Sequence, residues 1–139
     1  MPVTVASDKT TGEELAESLL EGVVNEPMRA ATKLLGAHGN GYWLRRLSDD
    51  RELVAVADHP LIDHSGRCPM VDWEGVGHLL KTPGWSRGVS RSQAAVLEFA
   101  ASLVNRCPVQ IGRISHAVND AEFQLLLGAM EAASYGDPR

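Results

Sequence analysis

Asp58-His59, Asp63-His64 and Cys68 form the densest cluster of chemistry-bearing side chains in the sequence, with His78 further along. Imidazole and thiolate are good zinc ligands, so His59, His64 and Cys68 with one of the carboxylates could close a tetrahedral site. A structural zinc module normally carries paired ligands at short fixed spacing, however, and the chain holds two Cys in all. The three residues are therefore weak metal candidates, and no metal or other cofactor is expected. The same cluster could also serve as acid–base machinery, since a neighbouring carboxylate fixes an imidazole tautomer. Adjacent residues in an extended stretch point to opposite sides, which pulls each Asp away from the His beside it. No Gly-x-Ser-x-Gly elbow, His-Glu-x-x-His pair or Walker Gly-Lys-Ser/Thr loop occurs. Gly36, Gly39 and Gly41 follow a helix rather than a strand, which makes them a turn and not a dinucleotide fingerprint. A catalytic role is not expected. Cys68 and Cys107 are expected as free thiols of a reducing compartment.

These side chains must be held by elements, and the elements announce themselves through caps and periodicity. Thr10 with Glu13, or Thr11 with Glu14, is a capping box that opens a helix over Gly12 to Asn25. Leu15, Leu19, Leu20, Val23 and Val24 share one face of it, and Glu13, Glu14, Glu17 and Glu21 point away. Pro27 suits the first turn of a second helix that stops at Gly36. Tyr42 to Leu47 has the aromatic content of a strand, Ser48 to Arg51 reads as a turn, and Leu53 to Ala57 reads as a second strand, giving a hairpin. Pro69 to Val71 is a further extended stretch. Asp72 caps a helix carrying Trp73, Val76, Leu79 and Leu80. Ser90 with Gln93 opens a helix to about Arg106 that is apolar nearly all round, a short helix covers Ile111 to Val118, and Asn119 with Glu122 caps a last one. The expected fold is a single α+β domain over residues 1–139, predominantly helical. It comprises an N-terminal acidic helical segment (1–36), a short antiparallel hairpin with extended chain (42–72), and a helical region (73–135) that includes a C-terminal three-helix unit.

Composition agrees with that class. The 139 residues are 44% hydrophobic and 22% charged, the balance of one soluble domain rather than a disordered chain. No apolar run approaches the roughly 20 residues of a spanning helix, and the first residues lack a signal-peptide pattern, so a cytoplasmic protein without membrane contact is expected. The net charge of -5 is unevenly placed. Through Glu26 there are six acids (Asp8, Glu13, Glu14, Glu17, Glu21, Glu26) against Lys9, and the remainder balances at twelve of each sign.

The strings Gly41-Tyr42-Trp43-Leu44-Arg45-Arg46, Asp72-Trp73-Glu74-Gly75-Val76 and Ser90-Arg91-Ser92-Gln93-Ala94-Ala95-Val96-Leu97, with Ala100-Ala101-Ser102-Leu103, resemble those of uncharacterised small proteins of actinobacteria and their phages. The resemblance spans about residues 38 to 133. It implies a bacterial or phage source and no assigned activity, and it carries over no site residues.

The expectation for function is a non-enzymatic interaction protein, an accessory or adaptor, with a protein partner or a second copy of itself. Glu13, Leu15, Glu17, Leu19, Leu20 and Glu21 are the expected contact residues, leucines anchoring in a groove while carboxylates steer a basic partner. The alternative is a helix-turn-helix-like DNA-binding regulator using residues 90–135, with Arg106 and Arg113 touching phosphate. The last helix argues against it, because it carries Glu122 and Glu131 and no Lys or Arg to offer base edges or phosphates.

Overall fold

A computed structural model describes residues 10–105 and 108–135 of the chain. Eight α-helices are found among the described residues: α1 (Gly12–Ser18), α2 (Glu26–Ala37), α3 (Tyr42–Asp49), α4 (Arg51–Ala57), α5 (Trp73–Leu80), α6 (Arg91–Asn105), α7 (Ile111–Ala117) and α8 (Asp120–Tyr135). A single 3-10 turn (His38–Asn40) follows α2, and strands β1 (Ile62–Asp63) and β2 (Met70–Val71) form an antiparallel pair in which Ile62 faces Val71 and Asp63 faces Met70. The fold is α+β and predominantly helical. No helix among the described residues is long and apolar enough to cross a membrane.

The helix starts follow from local chemistry. Thr11 Oγ1 accepts from the Glu14 amide (3.1 Å) while Glu14 Oε1 accepts from the Thr11 amide (2.9 Å). Ser90 with Gln93 and Asn119 with Glu122 form the same reciprocal box. Asn25, Asp50 and Asp72 each accept one first-turn amide through a side-chain oxygen. Each box satisfies two donors that the start of a helix leaves without partners.

Three sequence expectations are corrected. Tyr42–Leu47 and Leu53–Ala57 are helical, so the hairpin does not lie there; the short antiparallel pair joins residues 62–63 to 70–71. Helical period places Trp43, Leu44 and Leu47 on one buried face, which a strand, alternating sides, could not do. Asp50 then ends α3 and caps α4, and its Oδ2 accepts from Arg46 Nε at 2.8 Å one turn back. The first helix also stops at Ser18 rather than Asn25. Beyond it, Arg29 Nη1 donates to the carbonyls of Val23 (2.9 Å) and Leu20 (3.3 Å), so a guanidinium satisfies acceptors that a longer helix would have used. Val24, expected on the buried face, is 90% exposed.

The central helices α2 and α6 both feed the core, α6 through Ala95, Val96, Leu97, Phe99, Ala100 and Ala101, all buried. Leu35 of α2, Leu44 and Leu47 of α3, Val76 and Leu79 of α5, and Leu126 and Ala129 of α8 belong to the same core cluster. Trp43, fully buried, donates from Nε1 to the Gln93 carbonyl (2.8 Å) and tilts against Trp85. Its partner is thus the first turn of α6, which locks the α3 face to the centre of the fold.

Candidate interaction face

The first helix is fixed to the body by close backbone contact, reinforced by side-chain hydrogen bonds. A Cβ at Gly12 would collide with the Gly36 carbonyl and the Gly41 amide, and one at Gly36 would come within 2.7 Å of the Ala16 Cβ. The Gly12 amide donates to Asn40 Oδ1 at 2.8 Å. Asn40 holds a left-handed backbone (φ 54°), a conformation that Asn tolerates better than most residues. Arg45 ties the same corner together, donating from Nε to the Asn40 carbonyl (3.1 Å) and from Nη2 to the Thr10 carbonyl. The orientation of α1 is therefore set before any of its outward side chains is considered.

Of the expected contact residues, Leu19 and Leu20 are buried in the chain's own core and Leu15 packs half-buried against it. This corrects the expectation that the leucines anchor in a partner's groove: covering the α2 side of the core already uses them. Glu13, Glu17 and Glu21 are exposed, as is Glu14. A cleft of about 630 Å³ runs beside them, lined by Thr11, Glu13, Glu14, Ala16, Glu17, Lys33 and Ala37. Lys33 and Ala37 also line a second, mainly apolar groove of about 370 Å³ between α2 and α8, with Ala30, Leu34, Gln124, Leu125, Gly128, Ala129 and Ala132. The two clefts meet along one edge of α2.

Sequence reasoning missed one constellation. His38 Nε2 and Glu122 Oε2 lie 2.7 Å apart, with side chains 8% and 15% exposed, and His38 Nδ1 is buried without a hydrogen-bond partner among the described residues. Burial works to raise the Glu122 pKa, but hydrogen bonds from the Asn119 backbone, His38 and Ser92 lower it further, and the carboxyl ends below its ordinary value. The pair clips the end of α2 to the first turn of α8. No local signal could have shown it, since the partners are 84 residues apart.

The remaining candidates are dispersed. His59 Nδ1 donates to the Pro60 carbonyl (3.0 Å) and its ring lies against Gly75 of α5. His64 is exposed in the turn between the strands. Cys68 Sγ sits 4.0 Å from Glu21 Oε1. Among the described residues no three His, Cys, Asp or Glu side chains come together in a way that could hold a metal ion. Asp63, beside His64, instead accepts from the Ser65 hydroxyl and amide, which hold its pKa below the usual carboxylate value. Arg113 Nη2 donates to Glu98 Oε1 at 2.6 Å, so this cation is paired with a carboxylate; Arg106 and Cys107 lie outside the described residues.

Set against protein-family models, curated proteins and solved structures, the chain matches none.

Proposed function

We propose that the chain is a non-enzymatic interaction protein, an accessory or adaptor, which offers the acidic face of α1 to a basic surface on a protein partner. One observation carries this reading: Leu19 and Leu20, just after α1, are buried in the chain's own fold while Glu13, Glu14 and Glu17 on α1 and Glu21 in the following turn stand exposed, on a segment held in place by backbone packing. A fixed array of like charges raises encounter rates and selects partners of opposite sign, at little cost in conformational freedom on binding. His38 and Glu122 serve each other in the α2–α8 seam and line neither of the clefts described above. The cytoplasmic setting and the actinobacterial or phage source belong to the same proposal and rest on the sequence patterns given above.

The test is a pull-down from an actinobacterial lysate with the parent chain beside a Glu13→Gln, Glu17→Gln, Glu21→Gln variant, leaving Glu14 to its capping role. A protein retained by the parent should be lost from the variant, and its retention should fall as salt rises, because exposed charges are screened within about 10 Å at 0.1 M salt. Identical retention by the two chains would overturn the reading.

A further inference from the structure

We propose that the apolar groove between α2 and α8, lined in part by Gly128, receives an amphipathic helix of a protein partner whose flank is basic. The inference rests on the acidic-face reading and adds the apolar half of the contact. Glycine inside a helix costs about 1 kcal/mol relative to alanine; at Gly36, Gly75 and Gly77 the space is used, whereas Gly112 of the short α7 is open but lines neither of the clefts described above. A Cβ at Gly36 would come 2.7 Å from Ala16, at Gly75 2.5 Å from His59 and at Gly77 2.9 Å from Asn105. At Gly128, in the middle of α8, a Cβ would meet nothing within 4 Å. The fold itself gains nothing from the missing side chain there. What it leaves is an open stretch of the α8 wall beside Ala132, across the groove from Ala30 and Ala37 of α2, where another backbone can approach as closely as helix packing allows, about 8 Å between axes.

Charge identifies the occupant. Along its α1 side the groove shares Lys33 and Ala37 with the cleft that holds Glu13, Glu14 and Glu17, three carboxylates against one ammonium, and Lys33 already has an interaction of its own. On the α8 side Glu131 stands exposed one turn beyond Gly128, and the helix carries no Lys or Arg. An apolar groove with an acidic cleft along its α1 side fits a helix with small or aliphatic side chains at i, i+3, i+4 and i+7 and Lys or Arg along the edge that faces α1. The matching stretch, Ala30 to Ala37 on α2, is about 10 Å long at 1.5 Å per residue, or two turns. An extended strand would not be served, because the backbone groups of both walls are spent in their own helices and none is left to pair with it.

The full chain, labelled with 15N, is titrated with a synthetic peptide bearing Leu and Ala on one helical face and Lys on the other, and separately with the same peptide carrying Glu for every Lys. The Lys peptide should shift amide signals around Ala37 and Gly128, and the Glu peptide should bind at least tenfold more weakly. Gly128→Leu should weaken the Lys peptide at least tenfold with the thermal midpoint unchanged or raised, and Ala37→Leu on the opposite wall should do the same. Undiminished binding by both variants would overturn the groove. Shifts confined to α1 would also overturn it while leaving the acidic-face reading in place. If Glu13→Gln with Glu17→Gln binds like the parent while Gly128→Leu does not, the acidic reading fails, and with it the basic partner. A parent chain that sediments as a dimer, broken by Gly128→Leu, would make the occupant a second copy and overturn the proposal.

Discussion

At the scale of single residues, the strongest demands come from atoms that are absent. Gly12 admits no Cβ because the nearest atoms are backbone, the Gly36 carbonyl and the Gly41 amide, and backbone cannot swing aside. Gly12→Ala should therefore cost about 2 to 3 kcal/mol in urea denaturation, the upper range for overpacking. Gly112 of α7 has open space at the same atom, so Gly112→Ala should be neutral or stabilising by up to about 1 kcal/mol from helix propensity alone. If the two substitutions cost the same, the proposed contact between α1 and the α2–α3 corner is wrong. The His38–Glu122 pair makes a prediction with a sign. A carboxyl whose folded pKa lies below its unfolded value, near 4.3, adds stability that is fully present above the unfolded value and is lost as pH falls through the folded one. Glu122→Gln keeps the capping oxygen and removes the charge. It should destabilise the protein by about 1 to 2 kcal/mol at pH 7, with the gap closing below about pH 4. A gap that persists unchanged at pH 3 would show that the charge contributes nothing.

Among elements, what the sequence revealed depended on how far apart the cooperating residues stand. Capping boxes work across three residues, so Thr11–Glu14, Ser90–Gln93 and Asn119–Glu122 were legible and all three form. The segments at 42–47 and 53–57 carry a strand signal because Tyr42, Trp43, Val54 and Val56 favour strands intrinsically, and tertiary burial overrides that preference: on helices, Trp43, Leu44, Leu47 and Leu53 reach one core. Asp50 is the hinge of that outcome. Its Oδ1 caps α4 through the Leu53 amide (3.1 Å) and its Oδ2 takes Arg46 Nε (2.8 Å), an arrangement no hairpin turn would need. Asp50→Ala should cost about 1 to 2 kcal/mol, the value of a lost N-cap. Asp50→Asn, which retains a capping oxygen, should cost no more than about 0.5 kcal/mol for the partly exposed ion pair. Chemical denaturation of the two variants separates the roles, and equal losses would place the value of Asp50 in its charge instead. The α2–α8 groove and the His38–Glu122 clip were not legible, because each joins residues that only the packed helices bring together.

For the molecule as a whole, the formal charge of -5 is best understood as a balanced body with one acidic edge, and the question is whether that edge can be detached. Ala16, Leu19, Leu20 and Val23 are buried at 6% exposure or less. Withdrawing the three larger ones from the core forfeits roughly 1.5 to 3 kcal/mol each, which together approaches the 5 to 15 kcal/mol that stabilises a domain of this kind. Deleting residues 1–25 should therefore abolish cooperative thermal unfolding, and the product should expose apolar surface that binds a hydrophobic dye. The Glu13→Gln, Glu17→Gln, Glu21→Gln variant touches none of those contacts and should melt within about 2 °C of the parent, as exposed substitutions away from packed features usually do. The pairing decides what the acidic segment is. A truncated chain that still melts cooperatively would make residues 12–25 a detachable arm, with Leu15, Leu19 and Leu20 again free to enter a partner. Loss of the cooperative transition makes α1 part of the wall, and leaves its carboxylates as the portion of it that faces another molecule.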